Sequence, residues 1–368
     1  MHVGHAARRQ RIVDRDRLVR FPCALRVGDA QPGDRGRRHG AGENAGQQPA
    51  AIGKAHQLLQ SSAVLRRLLC NVPRHAEHGY HLAAMPVPVE ISAWKPAPFD
   101  LRGETVFAIG DVHGCASELA ALREAIAGLA HEAGGRRRLI YLGDMINRGP
   151  DAVGVFQQWA KDEEAHGVDH VDRLMGNHEI MMLLAVVGGP HAHKAEAMWL
   201  SKRMGGQIFL DQMRGRAGSA AASVDHALLK SALGDAVVHR LWGMRSHVRL
   251  GNALFVHGGL DPHADPDEFL TRPWATFTEA RWAWINHGFL DWRKGFGGTL
   301  VVHGHTPPDK HRAISGMDDP HLFEGDRLGL DGGSARTGIV TGAEIQTGRY
   351  RILKAGAPFA NPISSTEE

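Results

Sequence analysis

The chain has 368 residues, 43% of them apolar, and a net charge of +3, enough for one large domain or two ordinary ones with a sizeable core. Three scattered cysteines, Cys23, Cys70 and Cys115, point to neither a disulfide framework nor a Cys-based zinc site. No apolar run approaches the ~20 residues of a membrane span, and the first thirty residues lack the apolar stretch of a secretory signal, so the reading is a cytoplasmic protein, a monomer, with no membrane partner.

The charge is unevenly spread. Residues 1–84 carry 13 Arg and one Lys against six Asp and Glu, a net +8, which leaves residues 85–368 at −5 given the +3 of the whole chain. A nucleic-acid reader would show its basic face on the folded body, so no nucleic acid is expected as partner. Residues 1–95 are rich in Arg, His, Gly, Ala and Gln, as in QPGDRGRRHGAGENAGQQPA, and only HQLLQSSAVLRRLLC has helical periodicity. Apolar density this low does not offset the entropy of ordering. The expectation is a disordered basic leader over 1–95, with MPVPVEISAWKPAPFD at Met85 as the natural start.

From Leu101 onward the stretches TVFAIGD, RLIYLGD, VDRLMGN, ALFVHGG, LVVHGH and RLGLDGG each run apolar and then stop at Gly, Asp, Asn or His. Continuous runs of this length suit strands buried on both faces. SELAALREAIAGLA, between the first two, places Leu119, Leu122, Ile126 and Leu129 at helical spacing; DAVGVFQQWAKDEEA follows the second run and HEIMMLLAVV the third. The alternation predicts an α/β domain over 96–355 with a βαβαβ start and a parallel sheet. Residues 190–245 are helical in pattern and predict a helical insert; 356–368 read as a disordered tail.

Polar residues gather where the apolar runs end, and in open α/β sheets ligands bind outside the carboxyl ends of the strands. That places Asp111, His113, Asp144, Asn177, His257 and His305 as one candidate cluster. Carboxylate, imidazole and amide oxygen together suit borderline divalent metals such as Mn, Fe or Zn. One carboxylate can bridge two ions ~3.5–4 Å apart, the arrangement used for phosphate-ester cleavage. Taken singly, each residue has a plainer reading: Asp111 or Asp144 as a helix cap, His257 or His305 as a core histidine, Asn177 as a turn residue, Arg148 as a surface arginine. Glu179 reads as a complement to a helix dipole. The ordered set is what argues for a site.

That set is GDVHG (110–114), GDMINRG (143–149), GNHE (176–179), VHGG (256–259) and HGHT (303–306). It resembles the phosphoprotein phosphatase family, a branch of the calcineurin-like metallophosphoesterases, over roughly residues 104–345. The resemblance implies a central mixed β-sandwich flanked by helices, so the C-terminal runs would form a second sheet packed on the first. It implies two divalent ions, manganese first, with iron or zinc as alternatives. Asp111 and His113 would hold one ion, Asp144 would bridge, and Asn177, His257 and His305 would complete the other, with His303 not a ligand. His178, Arg148 and Asn147 would be the catalytic positions. His178 would protonate the leaving oxygen, and Arg148 would grip phosphate with Asn177 and His178 beside it, a guanidinium fork fitting better than lysine. The nucleophile would be a metal-bridging hydroxide.

Two positions depart from the family. Many of its protein phosphatases carry Asp where this chain has Asn147, and the expectation is that the amide oxygen of Asn147 accepts from the imidazole of His178. Bacterial members carry a second phosphate-binding Arg where AWINHGFL has Asn286; Arg281 and Arg293 are the nearby candidates. GNHE and HGGL favour phosphomonoesters as substrates, phosphoserine or phosphothreonine proteins or a small phosphate ester. The alternatives are a symmetrical dinucleoside tetraphosphatase, a closely related group that itself lacks the Asp, and a catalytically impaired phosphate-binding module.

Overall fold

The structure, a computed structural model, describes residues 86–160, 167–271 and 279–357. Most of the expected leader, with its HQLLQSSAVLRRLLC helix, and most of the expected tail lie outside the described residues. The fold nevertheless begins before residue 96. Strands β1 (Val89–Ile91) and β2 (Lys95–Pro96) precede the first long strand, β3 (Thr105–Ile109). Helix α1 (Ala116–Glu132), β4 (Arg137–Tyr141), α2 (Ala152–Trp159), β5 (His170–Arg173) and α3 (Asn177–Val187) follow, as the alternation predicts. The insert consists of α4 (Ala192–Trp199), α5 (Gly206–Ala217), α6 (His226–Leu233) and α7 (Asp235–Trp242). Then come β6 (His247–Leu250), β7 (Ala253–Val256), α8 (Pro266–Thr271), β8 (Leu300–His303), α9 (Pro308–Ser315), β9 (Arg327–Gly329), α10 (Ser334–Thr337), β10 (Val340–Gln346) and β11 (Arg349–Ala355).

The strands form two sheets rather than one parallel sheet. The first runs β1-β11-β10-β3-β4-β5, with β2 also on β11; the second runs β6-β7-β8-β9. Within them β3-β4-β5 and β7-β8-β9 are parallel. β10 returns antiparallel to β3, with Ala343 opposite Ala108, and β11 pairs antiparallel with β10, so a run of parallel strands is closed at one edge by a hairpin. β1 and β2 cover β11 in turn, with Val89 opposite Ala355 and Lys95 opposite Tyr350.

Period-two burial makes the sandwich. Val106, Ala108, Ile140 and Leu142 point to a core shared with Phe255, Val302 and Leu328 of the second sheet. Their alternates Phe107, Ile109, Leu139, Tyr141, Leu254 and Val301 point instead to the core that contains the helices. Both faces of each central strand are thus apolar, which is why the runs read as continuous. On α1, Leu119, Leu122, Ile126 and Ala130 are buried along one stripe. Asp151 caps α2 through the Gly154 N–H at 2.8 Å, and Asp225 caps α6 through Leu228 at 2.6 Å.

The two parallel triplets end on one side of the sandwich, and their loops meet. Two glycines mark how closely. At Gly143, φ is +108° and a Cβ would lie 2.5 Å from the Gly176 nitrogen; at Gly304 it would lie 2.3 Å from Asp111 Oδ1. No other residue lets the loops after β3, β4, β5 and β8 approach so near.

Candidate metal centre

Seven described non-glycine residues have positive φ, and five of them are His113 (42°), Asp144 (55°), Asn147 (72°), Arg148 (64°) and His305 (68°). Left-handed backbone costs an L-residue roughly 1–2 kcal/mol, so strain is concentrated where the motifs are. The surrounding bonds hold it in place. Val112 and His113 N–H donate to the Asp144 carbonyl at 3.1 and 3.0 Å, and Gly114 N–H donates to Met145.

All six expected ligands meet in one cluster. Asp144 is at its centre: Oδ2 lies 3.3 Å from His257 Nε2, 3.7 Å from His113 Nε2 and 3.8 Å from His178 Nε2. Asp111 Oδ2 is 3.9 Å from His113 Nε2. Asn177 Oδ1 stands 3.0 Å from His257 Nε2 and 2.9 Å from His305 Nδ1. The second oxygen of each carboxylate is tied down by backbone, Asp144 Oδ1 by His178 N–H at 3.0 Å and Asp111 Oδ1 by His305 N–H at 2.9 Å. That leaves one free oxygen of each carboxylate facing the imidazoles.

The donor set fits cations. His113 Nδ1 donates to the Ile146 carbonyl at 2.8 Å, His257 Nδ1 to Leu142 at 3.0 Å, and His305 Nε2 to Trp284 at 3.2 Å. Each ring therefore turns a lone pair inward, as metal-ligating histidines do. The result sets acceptor against acceptor: Asn177 Oδ1 faces the inward nitrogens of His257 and His305, and Asp144 Oδ2 faces those of His257 and His113. Positive charge in the middle resolves this, whether divalent ions or extra protons. Without ions the protons are drawn unequally. His257 resists burial because Asp144, Asp111 and Glu179 surround it, and its imidazolium persists to about 10. Burial lowers His305 to about 3 and, with Arg148 beside it, His113 to about 4. Burial would raise Asp144, but His257 and His178 hold its carboxyl well below the usual range; Asp111 is pushed well above it by burial and by Asp331.

Arg148 lies at the rim. Its Nη1 is 3.2 Å from His113 Nε2 and its Nη2 donates to the Arg203 carbonyl at 3.2 Å. The guanidinium thus shares the lone pair that an ion would use, and only one of them can hold it. The insert supplies the other contacts: Arg148 N–H meets the Gly205 carbonyl at 3.4 Å, and at Gly205 (φ +69°) a Cβ would sit 2.7 Å from Arg148 Cγ.

The contact of Asn147 with His178 is present, but with its polarity reversed from expectation. Trp199 Nε1 donates to Asn147 Oδ1 at 3.0 Å, so the amide oxygen is taken; the NH2 group faces His178 Nδ1 at 2.5 Å. An N–H aimed at Nδ1 puts the ring proton of His178 on Nε2. Nε2 then has no lone pair to give an ion, which separates His178 from the ligands although it sits among them. Burial, and the charges of His113 and Arg148, lower its basicity well below the usual histidine range against the pull of Asp144.

Glu179 does more than complement a dipole. Fully buried, it accepts from the N–H groups of Asp144 and Met145 at 2.9 Å each, Ile146 at 3.3 Å and Gly176 at 3.1 Å. It holds the loop that presents the central carboxylate. Asp331, at the end of RLGLDGG, is buried behind Asp111, and burial together with Asp144 raises its carboxyl to about 6. Its only sequence signal is an Asp at a strand end, the same as for Asp111. Neither candidate for a second phosphate-binding arginine touches the ligands. Arg281 pairs with Asp261 at 3.0 Å and lies over the Phe269 ring; Arg293 donates to the Ser315 carbonyl. Asn286 accepts from the N–H of His287 at 2.6 Å.

The family described as "Calcineurin-like phosphoesterase" matches residues 104–333. Curated relatives named "Bis(5'-nucleosyl)-tetraphosphatase, symmetrical" match short segments: one from Janthinobacterium sp. (strain Marseille) is 34% identical over 91 residues, 24% of this chain and 30% of the relative, and one from Methylobacillus flagellatus is 33% identical over 92 residues, 25% and 30%. The chain thus spans under a third of the length of these relatives. A solved protein serine/threonine phosphatase from Saccharomyces cerevisiae is 14% identical, with a TM-score of 0.37 over 71% of this chain and 83% of that one.

Proposed function

Since this chain belongs to the calcineurin-like phosphoesterase family, we propose that it is a dinuclear-metal phosphohydrolase whose substrates are phosphoanhydrides of the dinucleoside polyphosphate type. Asp111 and His113 would hold one ion, Asn177, His257 and His305 the other, and Asp144 both. The observation that carries this is the position of Asp144 Oδ2, between the inward nitrogens of His113 and His257. Manganese suits these ligands best, with iron or zinc as alternatives. Divalent ions there would supply Lewis acidity and a water nucleophile available near neutral pH. The chain's own groups do the rest. Arg148 binds the phosphate oxygens from the rim, and His178 turns Nε2–H toward the reacting centre. Glu179 keeps the Asp144 loop in register. No described helix is long and apolar enough to cross a membrane.

GNHE and HGGL support a second reading, phosphomonoesters including phosphoserine and phosphothreonine proteins. The names of the curated relatives and the donor that Asn147 presents to His178 favour the anhydride. The deciding comparison is turnover of diadenosine tetraphosphate against a phosphoserine peptide, each with manganese and with excess chelator. The proposal requires faster, chelator-sensitive cleavage of the dinucleotide. Faster peptide cleavage would support the second reading. No turnover of either would reduce the site to a phosphate-binding module.

A further inference from the structure

Trp199, at the end of α4 in the insert, is fully buried, with its ring edge-on to Phe209 at 6.2 Å. Its indole N–H can only donate, and it donates to Asn147 Oδ1 at 3.0 Å. This fixes the amide, because a rotated amide would set N–H against N–H. The NH2 end is thereby delivered to His178 Nδ1 at 2.5 Å. His178 must accept there and carry its proton on Nε2, the edge that faces Asp144 Oδ2 at 3.8 Å.

We propose that Trp199 is a specificity-determining positioning residue: by holding the Asn147 amide in one orientation it keeps a hydrogen-bond donor against His178 Nδ1 and the ring N–H on Nε2, and so favours phosphate groups whose leaving oxygen is stable as an anion. The inference rests on the hydrolase reading above. In the step it describes, the bond from water oxygen to phosphorus forms and the bond from phosphorus to the leaving oxygen breaks. The electron pair stays on the leaving oxygen, and the proton of the water passes to solvent. His178 lends its Nε2 hydrogen bond to that oxygen, but with a donor against Nδ1 it could give up that proton only by becoming an imidazolate. A phosphate leaving group, with its second ionisation at about 6, and a phenolate, at about 10, can depart this way. A serine alkoxide, comparable to hydroxide with water at about 16, needs a proton in the transition state.

The test is a leaving-group series on the manganese-loaded full chain: diadenosine tetraphosphate, p-nitrophenyl phosphate, phenyl phosphate and a phosphoserine peptide. Wild type should fall steeply along the series. Asn147→Asp places an acceptor at Nδ1 and should raise the phosphoserine rate about tenfold relative to the p-nitrophenyl phosphate rate. Trp199→Phe keeps the ring but frees the amide, and should shift the series the same way by a smaller factor. In the Asn147→Asp background it should add no further gain. Nitrogen-15 shifts of the His178 ring should show a bare Nδ1 and a protonated Nε2 in wild type, with Nδ1 protonated in Asn147→Asp. This readout decides the matter even if Trp199→Phe does not fold. A protonated Nδ1 in wild type, or equal factors on all four substrates, would overturn the role of Trp199 and leave the hydrolase reading standing. No hydrolysis of any substrate would overturn both.

Discussion

The carboxylate of Glu179 accepts the backbone N–H of Asp144 at 2.9 Å, so a side chain in the first turn of α3 holds the loop that carries the central carboxylate of the cluster. Glu179→Ala would leave buried donors on Asp144, Met145, Ile146 and Gly176 without partners. Each such donor costs about 1–3 kcal/mol, so the variant should lose about 3 kcal/mol or more in urea denaturation and retain metal poorly. A midpoint within 0.5 kcal/mol of wild type, by the usual size of a neutral surface change, would show that the loop holds itself.

Gly205 is required by Arg148. A methyl there meets Arg148 Cγ at 2.7 Å, at a φ of +69°. Gly205→Ala should move the guanidinium from the rim and raise KM for phosphate substrates about tenfold, roughly 1.4 kcal/mol, with a smaller change in kcat. Unchanged KM would mean that Arg148 does not contact phosphate.

Acid sensitivity should have a component outside the candidate metal ligands. His311 is buried, stacked on His303 at 5.9 Å, and 3.0 Å from the Ser315 hydroxyl. Burial and Arg327 lower it from about 6.5 to about 4. The unfolded chain therefore takes the proton first. The stability that His311 contributes is complete above about pH 6.5 and is lost as the pH falls toward 4. His311→Asn should narrow the Tm difference between pH 7.5 and pH 5. An unchanged difference would rule this residue out.

The cluster was legible in the sequence because of how the sheets are built. Strands such as TVFAI and RLIY are buried on both faces, so a polar residue at their ends stands out, and Asp111, Asp144, Asn177, His257 and His305 all sit at such ends. Continuous apolar runs do not state direction, however. Nothing in VTGAEIQ or RYRILKA says that these strands join the first sheet by antiparallel pairing, since that follows from the hairpin between them and from the pairing of β10 with β3. The start of the fold is not readable in the same way, because VEI and KP are too short to show a pattern and become strands only by pairing with β11. The reversed amide of Asn147 was out of reach for another reason. Its orientation is set by Trp199, fifty-two residues away, in an insert whose helical periodicity shows that a face is buried but not which side chain reaches the site. The role of Glu179 is likewise invisible in spacing, because its partners are backbone groups of a distant loop.

The central claim, that Asp144 joins two metal ions, is tested most directly by elemental analysis of purified protein after manganese loading and gel filtration, wild type beside Asp144→Asn. The account predicts two ions per chain in the wild type, and a clear loss of ions together with p-nitrophenyl phosphate turnover in the variant. Two tightly held ions with normal turnover in Asp144→Asn, or an active wild type without bound metal, would contradict it.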